Sequence, residues 1–362
     1  MGLRDKIKVN KVSLDFNNYY YYIKGVPKCG KTTFARDLTL ELYNNPEAGL
    51  LISIGDEKGY KALDNLQAVD CEDWAEFEEV VDDLVENYNE YKGIKLIYID
   101  TVDELIRLAE EEACRASKKQ TGKKCTLNSA FGGYGAGRQY VSKIVTEKMA
   151  LLNKLYGVFC IGHTKLRTIK EMGMESEQEY QVLDSNLNKD MDNIFGNKAD
   201  IIGVVNVERD VNSKTKRIED TKRYLYFRNN GFVNAGGRFG NIVEKTEFTA
   251  KNFVIAVEDA IKNSMVNPIS DEEFKKAKAK EVEENKAKAE EFANNHVSDV
   301  DISVDDLKVL IKGVDEASRK KLIAKVKELG VNMKDLDNED KDKLKELAKF
   351  IKTLYEIRWE GY

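Results

Sequence analysis

The stretch Gly25-Val26-Pro27-Lys28-Cys29-Gly30-Lys31-Thr32 constrains this chain more than any other feature. It fits G-x-x-x-x-G-K-[ST] at every specified position. Gly25 and Gly30 allow backbone geometry that side chains resist, so amides can approach phosphate oxygens closely. The apolar run "YYYYI" precedes the loop and the amphipathic "TTFARDLTLELYNN" follows it. Strand, loop and helix are therefore expected, with free N–H groups and the positive end of the helix dipole turned toward the loop. Gly25 through Thr32, with Thr33 beside them, is the expected cradle for ATP. Lys31 should reach the β- and γ-phosphates, and the Thr32 hydroxyl should ligate Mg2+.

Further apolar runs, "LLISI", "KLIYID", "GVFCIG", "DIIGVVNV" and "RYLYF", read as strands covered on both faces, the pattern of a parallel sheet. Helical spacing recurs in "DWAEFEEVVDDLVENYNEY" and "AGRQYVSKIVTEKMALLNKLYG". Such alternation predicts an α/β layered domain. The pattern fades after Ser264, where Pro268, Ser270 and the acidic residues 271–273 resemble a helix start. We expect an ATPase core over 1–264, a charged helical linker over 265–300 and a small C-terminal helical module over 301–362. The module is suggested by helical spacing of Leu307, Leu310, Ile311 and Val314, of Leu322, Val326 and Leu329, and of Leu344, Leu347, Ile351 and Leu354.

Composition excludes several classes. No stretch of about 18 apolar residues is present to suggest a membrane span. "MGLRDKIKVN" lacks the apolar core of a signal peptide, which suggests a cytoplasmic protein. Five cysteines without C-x-x-C spacing and two histidines make a zinc site a poor reading and free thiols the simple one. A formal charge of −6 offers no global attraction to nucleic acid, so such binding would need a local basic surface.

A phosphate loop with magnesium needs a carboxylate at a neighbouring strand end. "KLIYIDT" supplies Asp100, in the Walker B form, which also suits an ordinary cap residue. The strand "LLISI" runs into Asp56 and Glu57 at its carboxyl end, where open α/β sheets place ligands.

At this point the chain resembles the RecA-like ATPase core, with its mostly parallel central sheet flanked by helices. In that family the catalytic glutamate ends the strand after the phosphate-loop helix, and a small hydroxyl residue follows the Walker B aspartate. Glu57 and Asp100-Thr101 occupy those places, with Asp56 the substitute for Glu57. The element order is also similar to phage-encoded ATPases described as AAA-domain or nucleotide-binding proteins, some of them in the single-strand annealing and recombination group. The resemblance covers residues 15–262. It implies ATP and Mg2+ as ligands, assembly into a homo-oligomeric ring or filament, single-stranded DNA as partner, and the host cytoplasm for a phage-encoded chain. His163 and Thr164, ending "GVFCIGHT", take the place of the residue that senses the γ-phosphate. The bacterial recombinase carries an amide there, a departure in this sequence. Arg228 is the expected finger reaching a neighbouring subunit's ATP, with Lys222, Arg223 and Arg238 behind it.

Two segments suggest mobile loops. One, "KLRTIKEMGMESEQEYQVLDSNLNKDMDNIFGNKAD", precedes the next strand run and is long for a connection. The other, "SKKQTGKKCTLNSAFGGYGAGRQY", interleaves Lys118, Lys119, Lys123, Lys124 and Arg138 with Phe131, Tyr134 and Tyr140 among glycines. Cations with stackable rings suit sequence-tolerant single-strand binding, and rings tucked into the core are the plainer alternative. Two other functions stay open: a nucleotide-gated adaptor that docks a replication or recombination protein through its C-terminal helices, and a small-molecule kinase.

Overall fold

The computed structural model describes residues 7, 9–170, 179–211, 214–215, 218–267, 269–298, 304–314 and 316–333, with 335–336, 339–340, 343–344, 347 and 350–351. The chain divides into two compact units, Met1–Glu290 and Glu291–Tyr362.

The first unit opens with β1 (Tyr21–Gly25), α1 (Lys31–Tyr43), β2 (Gly49–Ile54), β3 (Gln67–Cys71), α2 (Trp74–Glu86) and β4 (Leu96–Asp100). It continues with α3 (Val102–Thr121), α4 (Ala136–Leu155), β5 (Gly157–Lys170), β6 (Glu179–Ser185), α5 (Lys189–Gly196) and β7 (Ile201–Val211). It closes with β8 (Ile218–Tyr226), β9 (Gly236–Gly237), β10 (Lys245–Glu247), α6 (Ala250–Asn263) and α7 (Asp271–Ser298), whose residues after Glu290 belong to the second unit. One sheet runs β10-β8-β7-β1-β5-β4-β2-β3, with β6 paired to β5 and β9 to β7.

β5, β4, β2, β3 and β7 are all parallel to β1 or to its neighbours, so Gly25, Ile54, Asp100 and His163 finish at one edge of the sheet. β1 lies between β5 and β7, and β5 separates it from the Asp100 strand. β8 and β10 are antiparallel, so the "RYLYF" run extends the sheet as half of a hairpin with β7 rather than as another parallel strand.

Alternation along the strands builds two cores. Tyr21, Ile23, Leu51, Tyr98 and Phe159 pack with Phe34 and Leu38 of α1 and Phe253 and Val257 of α6. Phe253 is the hub, with ring contacts to Phe16, Tyr21, Phe34, Phe159 and Phe227. The intervening Tyr22, Ile52, Ile97, Ile99 and Val158 are also buried, on the face that α2, α3 and α4 cover. Helix starts follow their capping residues: the Asp73 side chain accepts from Glu76 N at 3.0 Å, and Thr101 from Glu104 N at 3.4 Å.

α7 packs on this unit: Phe274 joins the core, and Glu281 accepts from Leu14 N at 2.9 Å and from the Ser13 hydroxyl. The compact unit thus continues beyond residue 264. Pro268 lies outside the described residues.

Both segments read as mobile loops are largely regular. β5 continues to Lys170 and pairs antiparallel with β6, from Thr164↔Ser185 to Lys170↔Glu179, and α5 follows. Residues 171–178 lie outside the described residues. Lysine and arginine at alternate positions of "TKLRTIK" hid this strand, whose period is two but whose faces are both polar. In the other segment, Lys118 and Lys119 stand in the last turn of α3, Leu127–Gly132 forms a 3-10 helix, and Arg138 and Tyr140 belong to α4. Phe131 packs on Tyr140 with centroids 4.9 Å apart, whereas Tyr134 is fully exposed.

In the second unit α8 (Val304–Gly313) and α9 (Glu316–Leu329) share a core of Leu307, Val314, Leu322, Val331, Leu336, Leu344, Leu347 and Ile351. The Leu310 side chain and Leu354 lie outside the described residues.

Candidate functional site

The loop between β1 and α1 is shaped by its glycines. Gly30 has φ +98° and stands at the N-cap of α1 with no side chain capping it, so the first-turn amides face the loop. A Cβ at Gly25 would fall 2.8 Å from Cys29 Sγ and 3.0 Å from Val205 Cβ, so only glycine lets the loop leave the strand on this path. Cys29 is buried, and that burial pushes its thiol above its usual range. Lys28 also has positive φ, at 62°.

Five side chains from four elements converge beside this loop. The Thr32 hydroxyl donates to Asp100 Oδ2 at 2.7 Å. The Asp100 carboxyl is 5% exposed, and burial raises its pKa, against the opposing effect of the Thr32 hydrogen bond. A cis peptide links Asp100 to Thr101. Lys31, buried at 6% exposure, donates from Nζ to the carbonyls of Gly25 at 2.9 Å and Val26 at 3.0 Å. Its Nζ is also 3.4 Å from His163 Nδ1.

His163 lies at the β5 position opposite Gly25 and bridges two charges. Its Nε2 is 3.0 Å from Glu57 Oε1. In the neutral ring, an Nε2–H donating to Glu57 and an Nδ1 accepting from Lys31 satisfy both partners. The hydrogen bond to His163 holds the Glu57 carboxyl below its usual value, and the same bond raises the His163 imidazolium. Asp103, at the start of α3, accepts from His163 N at 2.8 Å and so holds β5 where it passes the loop.

Glu57 is presented by a tight turn after β2. Gly55 N donates to Cys71 O at 2.8 Å, Glu57 N to Ile54 O at 3.3 Å, and the Ser53 hydroxyl to the Glu57 carbonyl. Asp56, the sequence substitute for Glu57, is exposed. The chain then passes Thr32 closely, since a Cβ at Gly59 would be 3.4 Å from Thr32 Oγ1.

The structure therefore brings together Lys31, Thr32, Asp100, Glu57 and His163. Arg228 stands elsewhere, donating to the Gly240 carbonyl. Arg238 pairs with Asp200 at 3.0 Å, and Lys222 with Asp220 at 3.4 Å. The cation that touches the loop is Arg223, whose Nη1 donates to Cys29 O at 3.1 Å. Sequence reasoning named Arg223 only behind Arg228, as a cation reaching a neighbouring subunit's ATP, and nothing in "KRYLYFRNN" marks it as a contact of its own chain's loop. Asp103 was missed because an acid in a first helical turn is ordinarily a dipole partner.

Thr32 and Asp100 offer hard oxygen donors 2.7 Å apart, with free helix N–H groups beside them. Mg2+ suits such a site, since it takes one or two protein oxygens and completes its shell with water and phosphate. Bound there, it would neutralise phosphate charge. Burial raises Asp100, whereas the His163 hydrogen bond holds Glu57 below its usual value, so Glu57 is the carboxylate of the group kept ionised.

The family model described as AAA domain matches residues 17–239, more than half of the chain. No curated protein matches it.

Proposed function

The chain belongs to the AAA-domain family of P-loop nucleotide-binding proteins, and from that premise we propose that it is a Mg2+-dependent ATPase of RecA-like type acting on single-stranded DNA. The observation that carries hydrolysis is the convergence at one strand edge: Thr32 bonded to Asp100 at 2.7 Å, and Glu57 arriving from β2 at 3.0 Å from His163. Lys31 and the loop amides would bind the phosphates, Thr32 and Asp100 would hold the metal, and Glu57 would take the proton of the attacking water. His163 joins Glu57 to the strand that continues into the β5–β6 hairpin.

The DNA reading is supported by the exposed Tyr134 ring in one segment of the chain with the exposed Lys123, Lys124 and Arg138. Recombination or annealing on single strands, within a ring or filament of copies of this chain, is the setting we propose. The C-terminal unit, with its own core, suits the docking of a replication or recombination partner.

ATP turnover by the full chain, with and without a single-stranded oligonucleotide, tests the proposal. Turnover that requires Mg2+, rises with the oligonucleotide and disappears in Lys31→Ala is expected. Turnover unchanged by Lys31→Ala overturns the assignment of the site.

A further inference from the structure

We infer that Arg223 is a phosphate-binding cation that serves the loop of its own chain, gripping the polyphosphate from the side opposite Asp100; this rests on the nucleotide-binding reading above. In the sheet order β8-β7-β1-β5-β4, Arg223 belongs to the second strand on one side of β1 and Asp100 to the second strand on the other. Arg223 Nη1 reaches Cys29 O at 3.1 Å. A Cβ at Gly30 would lie 2.6 Å from the same Nη1, so the guanidinium rests on the space that the missing side chain leaves. The second loop glycine thus serves two ends: it adopts φ +98° and it admits an arginine.

The backbone behind the guanidinium is anchored. Arg223 opposes Val207 in the β7–β8 ladder, and its carbonyl accepts from Phe248 N at 2.9 Å. The Phe248 ring stacks on Phe34 of α1, with centroids 4.5 Å apart and planes at 17°. Arg223 is thereby tied to the helix whose N-terminus faces the loop. Its charge is also uncompensated: among the described residues no carboxylate pairs with it, whereas Lys222 and Arg238 on neighbouring segments each have an acid.

A guanidinium has more donors than the Cys29 carbonyl uses, and planar donors match phosphate oxygens well. Because Arg223 stands away from Asp100 and Glu57, its charge acts on the bound nucleotide rather than on the bond being broken. Binding of diphosphate and triphosphate should therefore suffer together, with turnover at saturation largely kept.

The test is titration of the full chain with ADP and with a non-hydrolysable ATP analogue, each with Mg2+. Arg223→Ala is expected to weaken both by about ten- to a hundredfold, the range for a hydrogen bond to a charged group. Arg223→Gln, which still offers a donor to Cys29 O, should lose as much, because the charge is what binds. A mixture of Arg223→Ala with Lys31→Ala should regain no nucleotide affinity, since each site uses its own arginine. Variants that bind ADP like the unaltered chain, a Gln variant that restores affinity, or a mixture that binds ADP more tightly than Arg223→Ala alone each overturn the inference. An unaltered chain that binds no ADP overturns the nucleotide reading, and this inference with it.

Discussion

Glu57 Oε1, in the turn after β2, and His163 Nε2, within β5, are 3.0 Å apart, and Lys31 Nζ lies 3.4 Å from the other ring nitrogen. This row ties the phosphate-loop lysine to the carboxylate that faces it through one imidazole.

The pair fixes the sign of a pH dependence. Glu57 is held below its ordinary 4.5 and His163 above its ordinary 6.5, both by their shared hydrogen bond. The Glu57 contribution is present above its unfolded value and is lost as pH falls through the lowered folded value. The His163 contribution is complete below 6.5 and is lost as pH rises through the raised folded value. The pair therefore stabilises most between the two folded values. Melting temperature followed from pH 5 to 9 should fall toward the alkaline end, and His163→Gln should flatten that fall.

Asp100 is buried and bonded to Thr32, so its loss should be felt through the metal. Asp100→Asn is expected to raise the Mg2+ concentration for half-maximal turnover by about 10–100-fold, as losing a metal's supporting carboxylate does. A magnesium titration of the ATPase reads this directly.

Tyr134 has φ +52° and no ring partner among the described residues, so its ring is free to stack. Tyr134→Ala should weaken single-stranded oligonucleotide binding by about 1–3 kcal/mol, the usual value of one base–aromatic stack. Fluorescence anisotropy would measure it, with ADP affinity and melting temperature unchanged.

Phe253 touches five other rings in the core between the sheet and α1. Phe253→Ala should cost about 3–5 kcal/mol in chemical denaturation, as truncating a buried aromatic generally does.

The phosphate loop, Asp100 and the parallel order of the central strands were legible because each rests on a local pattern. The loop needs particular residues at fixed spacing, and buried strands need continuous apolar runs. Glu57 and His163 were also placed, since a strand's carboxyl end is recognisable even when its partner is not. What escaped was set by pairing across the chain. β3, "QAVDC", is only half-buried along most of its length and carries no apolar run. β6 reveals itself only against the polar extension of β5. α3 lay unremarked because attention to its terminal lysines obscured the spacing of Leu105, Ile106, Leu108 and Ala109, all buried. Arg223 reaches the loop of its own chain through the register of an antiparallel hairpin, which no local pattern marks.

The central claim is that Glu57 takes the proton from water at a nucleotide held by Lys31, Thr32 and Asp100. Single-turnover hydrolysis of ATP by Glu57→Gln, with ATP binding measured on the same sample, tests it most directly. We predict ATP affinity like that of the unaltered chain and hydrolysis slowed by about 10²–10⁴-fold, the usual contribution of a general base. Hydrolysis at the unaltered rate by Glu57→Gln with bound ATP would contradict the account.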